Sequence, residues 1–176
     1  MGNFYTQVWA ADTERDACED LMKQLGRRCL VGPSHRGHTP VFDAKSEEQD
    51  IDILDSLALT LSHELKTWAV ALLNHDDDYL AFRIFANGEE QGSLVSSTFG
   101  TKGLRAAGQL RRAISPRASL ALLALHLFRP SIFQIGRHAS IARTLSLPSW
   151  SVGAGYNYVL DGDLVEHPGL DQFTKL

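Results

Sequence analysis

The chain has little of what marks secretion, membrane insertion or a familiar catalytic centre. Cysteine is scarce: Cys18 and Cys29 are the two in 176 residues, and their spacing is not CxxC. They read as small buried thiols of a reduced, cytoplasmic protein. The longest apolar run, Leu120 to Phe128, carries His126, meets Arg129-Pro130, and is too short to cross a bilayer. The opening MGNFYTQVWA has no basic region followed by an apolar core, which excludes a secretory signal. Gly2 and Thr6 satisfy the loose myristoylation pattern, but Phe4, Thr6 and Val8 alternate as an opening strand does. There is no GxSxG nucleophile elbow and no EF-hand spacing, and Gly153-Ala154-Gly155 lacks the third glycine of a dinucleotide fingerprint. Internal repeats and low-complexity tracts are absent too.

One absence is local. Between Phe99 and Leu160 there is no aspartate or glutamate, while Lys102, Arg105, Arg111, Arg112, Arg117, Arg129, Arg137 and Arg143 all fall there. Residues 1–98 hold 17 acidic and 8 basic side chains, hence −9, and residues 99–176 hold 4 and 9, hence +5, within a total of −4. An apolar fraction of 44% with 22% charged residues is globular composition, enough for one ordinary domain with a core.

The pattern of what is present predicts an α+β protein. Asn3 to Trp9 alternates as a first strand, and Ala17, Leu21, Met22 and Leu25 recur at helical spacing behind a Thr13 cap and before Gly26. Strands follow at Arg28 to Val31 and Thr39 to Asp43. Ser46-Glu47-Glu48-Gln49 forms a capping box for a helix striped by Ile51, Leu54, Ala58, Leu61 and Leu65. Trp68 to Leu73, Tyr79 to Phe85 and Glu90 to Val95 then read as three successive strands, the last two joined by Asn87-Gly88, a dipeptide that adopts positive φ at low cost. The order β-α-β-β-α-β is that of a ferredoxin-like core, here with an added β-hairpin extending an antiparallel sheet.

After a loop at Ser97 to Gly103 the pattern turns helical. Leu104, Ala107, Leu110 and Ile114 share one face, and Ser115-Pro116 serves as cap and first residue of a second helix that is apolar nearly all round and so predicted buried. A third runs from Gly136 or Arg137 to Leu145, before Leu147-Pro148. Trp150 to Leu160 reads as a late strand or extended segment, and the last fifteen residues as a loose tail. The expected domains are 1–98, an α+β sheet domain, and 99–176, a basic helical segment with a late extended strand, packed on the first.

The succession Phe4-Tyr5-Thr6, Glu47-Glu48-Gln49-Asp50, Asn74-His75-Asp76-Asp77-Asp78, Asn87-Gly88, Arg137-His138 and Leu147-Pro148-x-Trp150-x-Val152-Gly153-x-Gly155-Tyr156-x-Tyr158 resembles a family of bacterial proteins to which no activity is attached. The likeness covers most of the chain apart from Thr101 to Arg129. It implies the element order above and carries no functional residues.

Candidate sites come from the residues themselves. Asn74, His75, Asp76, Asp77 and Asp78 join two strands and gather carboxylates, an amide and an imidazole; the pattern fits a turn held by its own Asx hydrogen bonds, or a divalent-metal site using His75, Asp76 and Asp78. Glu47 and Glu48 could extend that cluster, or only solvate a helix start. His35-x-x-His38 lacks the partner cysteine pair of a structural zinc site. The basic stretch, with Arg105 and Arg112 as candidate binding residues, has three readings: it folds back on the acidic domain, binds an anionic ligand or protein, or binds nucleic acid. The residues from Arg137 to Leu147 resemble the first half of a helix-turn-helix, yet an extended segment after Pro148 and the overall acidity weigh against nucleic acid. No cofactor is implied beyond the divalent metal of that one reading.

Two functions follow. The first is a binding module without catalysis, engaging a basic protein partner as an inhibitor or immunity protein engages its toxin, because complementary potentials speed association. The second is a metal-dependent hydrolase built on the His75 cluster, whose metal would activate water.

Overall fold

The structure is a computed structural model that describes residues 3–103, 105–129, 131, 133–162 and 169–176. Its spine is an eight-stranded, wholly antiparallel sheet: β1 (Tyr5–Ala11), β2 (Cys29–Val31), β3 (His38–Asp43), β4 (Trp68–His75), β5 (Tyr79–Ala86), β6 (Glu89–Ser97), β7 (Gly100–Lys102) and β8 (Thr174–Lys175), in the order β7-β6-β5-β4-β1-β3-β2-β8. Two helices, α1 (Arg15–Gln24) and α2 (Ile51–Glu64), cover one face. Three more, α3 (Ala106–Ile114), α4 (Leu120–Phe128) and α5 (Gln134–Leu145), lie over the other, and a short α6 (Tyr156–Leu160) follows. The fold is therefore mixed α+β in three layers.

Two covered faces explain why the central strands are apolar on both sides. Along β1, Tyr5 and Trp9 enter the core beneath α3 to α5, while Val8 and Ala10 enter the core beneath α1 and α2. Strand β5 divides as its alternation predicts, with Leu80, Phe82 and Ile84 on the first side and Phe85 on the second. The β5–β6 hairpin turns on Asn87 (φ 51°) and Gly88 (φ 82°), both left-handed, as a tight two-residue connection requires. Both cysteines are buried and unpaired, and burial pushes each thiol up to about 12.

Several local expectations are corrected. Thr13 does not cap α1; its hydroxyl donates to the Ala11 carbonyl, and Glu14 holds the cap position without a side-chain bond. Ser46 to Glu48 form a separate 3₁₀ turn, and Asp50 caps α2 by accepting from the Asp52 and Ile53 amides. The intended capping serine is captured by Asp43, which accepts from both the amide and the hydroxyl of Ser46. Helix α4 is capped by Ser119, not by Ser115. Nor is α4 buried all round: Leu123 and Leu127 are, but Leu122, Leu125 and Phe128 are 49%, 59% and 66% exposed, because α4 is in the outer layer with nothing described beyond it. Gly100–Lys102, read as loop, pairs with β6 as β7.

The expected late strand is absent. Ser149–Ser151 is a 3₁₀ turn, and Tyr156–Leu160 is helical. The apparent alternation there reports packing and not pleating: Trp150 stacks on Trp9 at 5.6 Å, and Tyr156 sits in the same core. The tail is also tied down where it is described. Thr174 and Lys175 pair with β2, and Phe173 stacks on Phe42 at 4.8 Å.

Candidate functional site

The β4–β5 tip folds as a tight turn closed by a backbone hydrogen bond, without the Asx hydrogen bonds expected of it. Asp76 and Asp77 take left-handed backbone conformations (φ 51° and 58°), which aspartate tolerates better than most residues, and the Asp78 amide donates to the His75 carbonyl at 3.1 Å. Asp77 then points inward. Its carboxylate accepts from the Asn74 amide group at 3.0 Å and from Asn3 at 2.7 Å, and its backbone carbonyl accepts from the Gln134 amide at 2.9 Å. Asn74 is buried with it and also donates to the Asn3 carbonyl. These two residues thus bind the tip to the N-terminus and to the start of α5.

His75 faces outward. One ring nitrogen meets the Gln49 side-chain oxygen at 3.3 Å, and Phe4 stands edge-on to the imidazole at 5.1 Å. That contact brings the acidic approach to α2 alongside the acidic tip, so exposed Glu48, Asp50 and Asp52 share one edge of the molecule with exposed Asp76 and Asp78. Glu47 is not part of this edge. It turns inward, accepting from the amide and hydroxyl of Thr6 (3.1 and 3.0 Å) and from the Asn157 amide (3.3 Å). Burial raises its pKa, and these bonds, which favour the charged form, work against that rise. Gly155 admits the contact, because a β-carbon there would lie 2.3 Å from a Glu47 oxygen and 2.9 Å from the Tyr5 β-carbon. The carboxylate proposed as a ligand is instead a fastener between the 3₁₀ turn, β1 and α6. Among the described residues, no three histidine, cysteine, aspartate or glutamate side chains come together to hold a metal ion.

The basic half docks by apolar contact. Leu110, Leu123, Leu127, Ile141 and Leu145 join Val70, Leu72, Phe82, Ile84 and Leu94 in one core. Every ion pair among the described residues lies within residues 1–98, including Arg27 with Asp43 and Arg83 with both Asp55 and Glu90. The carboxylate-bearing helices α1 and α2 are across the sheet from the cationic ones. Arg112 lies over the Trp68 ring at 5.4 Å, which employs its charge without an acid. Arg105 is exposed at the start of α3 beside a shallow hollow lined by Gln91, Ser93 and Gln109. These two candidates are not brought together with the acidic tip.

Sequence reasoning missed a buried polar group on the inner stripe of α5. Gln134 and His138 share that stripe with Ile141 and Leu145, so two polar residues at i and i+4 on an apolar face were the available signal. The Tyr5 hydroxyl and the His138 Nδ1 are 2.6 Å apart. Burial pushes the tyrosine pKa up, so the phenol stays neutral, and one of the two groups donates to the other across this contact. The Nε2, both ends of the Gln134 amide and the Asn74 oxygen have no protein partner. Burial holds His138 neutral, with a pKa pushed down to about 3. The unfolded chain takes up that proton near 6.5. Stability is therefore fully present above about 6.5 and falls as pH drops toward about 3, by about 1.4 kcal/mol per pH unit from this group. Urea midpoints for the wild type and His138→Gln between those limits check this, the variant showing the shallower decline.

Comparison with protein-family models, with curated proteins and with solved structures finds no match to this chain.

Proposed function

We propose that the protein is a binding module that engages a cationic protein partner through the edge formed by Glu48, Asp50, Asp52, Asp76 and Asp78, in the manner of an inhibitor or immunity protein. One observation carries this reading: the contact between His75 and Gln49 brings exposed carboxylates from two elements, the approach to α2 and the β4–β5 tip, beside one another, and none of them is held in an ion pair among the described residues. Complementary charge of this kind raises association rates and falls away with salt. Phe4, 43% exposed beside His75, supplies an apolar contact at the centre of the edge. The β4-β1-β3-β2 order within the sheet supports assigning the core to the ferredoxin-like class, and the ordered motifs support a place in the bacterial family they resemble, with a cytoplasmic setting.

The test is capture from a bacterial lysate with the wild type and with Asp76→Lys/Asp78→Lys. Both positions are exposed, and circular dichroism checks that the variant, which places lysine at the left-handed Asp76 position, keeps its fold. A basic protein retained by the wild type, released by raised salt and at least tenfold depleted on the variant is the expected result. Equal capture by both proteins would refute the assignment.

A further inference from the structure

A cleft of about 420 Å³ opens between α4 and α5, lined by His126, Arg129, Ser131, Phe133, Arg137 and Ser140, with Gly136 at its edge. Its described lining holds two arginines, a histidine and two hydroxyls, and no carboxylate. The first turn of α5 forms one end. That turn contains no acidic residue and no side chain caps it; its Gln134 amide donates to the Asp77 carbonyl, and the rest of the positive end of this twelve-residue helix lies at the cleft.

Arg137 provides the independent observation. It is 5% exposed, lines the cleft, and its Nε has no partner. One terminal nitrogen donates to the Arg129 carbonyl at 2.6 Å, and the other reaches the Thr101 hydroxyl at 3.4 Å. Two of five donors are thereby engaged, through contacts that fix the plane of the guanidinium. No carboxylate pairs with it among the described residues. A buried guanidinium without a counter-ion is costly to the fold unless something anionic meets it. An oxyanion does so with bidentate geometry that a chloride ion cannot reproduce.

We propose that this cleft binds a phosphomonoester, its phosphate between Arg137, Arg129 and the first turn of α5, and the rest of the ligand against the Phe133 ring. Phe133 is 65% exposed at the cleft wall, which suits it to cover an apolar or planar portion of a small ligand. The volume is in the range of small-molecule sites. None of the acidic-edge carboxylates lines the cleft, so the proposal stands or falls separately from the partner assignment.

Calorimetry and thermal unfolding with inorganic phosphate and with adenosine monophosphate test it on the full chain. Two variants avoid the buried arginine. Arg129→Ala removes an exposed cation, and Gly136→Leu fills the cleft at a position where a β-carbon meets nothing within 4 Å. The expected result is saturable binding of both probes to the wild type, weakened at least tenfold in each variant, while the unliganded variants melt within a few degrees of the wild type. Binding of neither probe, or binding equally strong in Gly136→Leu, would overturn the proposal.

Discussion

Trp9→Ala is expected to lower the unfolding free energy by about 3–5 kcal/mol, the usual range for deleting a large aromatic from a core. Trp9 is buried in the central strand β1, where its ring stacks on Trp150 at 5.6 Å and its indole nitrogen donates to the Gln7 side-chain oxygen at 2.9 Å. Truncation opens a cavity between the sheet and the 3₁₀ turn at Ser149–Ser151, and Trp150 in turn packs against Phe42 and Phe173. Collapse of that stack is resisted on three sides, so relaxation recovers little of the loss. The predicted loss is a large part of the total stability of an ordinary domain. Equilibrium urea unfolding followed by circular dichroism measures it. A loss below about 1 kcal/mol would show that the Trp9–Trp150 stack contributes little.

Gln7→Leu is expected to cost about 3 kcal/mol, although it replaces a buried polar side chain with an apolar one of similar size. The Gln7 amide nitrogen donates to the carbonyls of Ser151 and Ala154, both at 2.6 Å, and its oxygen accepts from Trp9. Leucine leaves two buried carbonyls and an indole N–H without partners, and each orphan costs about 1–3 kcal/mol before relaxation. The damage falls first on the segment those carbonyls belong to. Amide exchange should therefore rise from Ser149 to Leu160 before it rises in β4 or β5. Uniform exchange changes across the sheet, or stability equal to wild type, would show that Gln7 does not pin this segment.

Gln7 also explains why this segment is not the strand that its sequence pattern predicts. Val152, Ala154, Tyr156 and Tyr158 alternate in sequence, and alternation is the signature of a half-buried strand. A strand needs a neighbouring ladder for its carbonyls. Here those carbonyls find a glutamine side chain instead, and Glu47 accepts from the Asn157 amide in the first turn of α6, so a turn and a short helix satisfy the backbone equally well. Neither partner is near in sequence: Gln7 is 144 positions from Ser151, and Glu47 is 110 from Asn157.

The acidic residues at the tip show the same division. Asp76, Asp77 and Asp78 were indistinguishable as letters, yet the turn directs Asp77 to Asn74 and Asn3 and leaves its neighbours in solvent. Glu47 and Glu48 part in the same way, one bonded to Thr6 and the other exposed on the edge. His138 and Gln134 could have been flagged by their place on an apolar stripe, but their closure against Tyr5 and the tip depends on where α5 lands.

What the amino-acid order determined by itself was local and periodic: the strand alternation of β1 and β5, the Asn87-Gly88 hairpin, the helical stripes, and the separation of acidic from basic residues along the chain. Those features need only nearest neighbours, propensity and burial of one face. The tertiary structure alone decided that the basic helices cover the second face of the sheet by apolar packing, which carboxylates meet bulk water, and that Arg137 is buried without an acid. Each of those outcomes depends on groups far apart in sequence competing for the same few hydrogen bonds and the same apolar surface, and a one-dimensional pattern does not encode who wins.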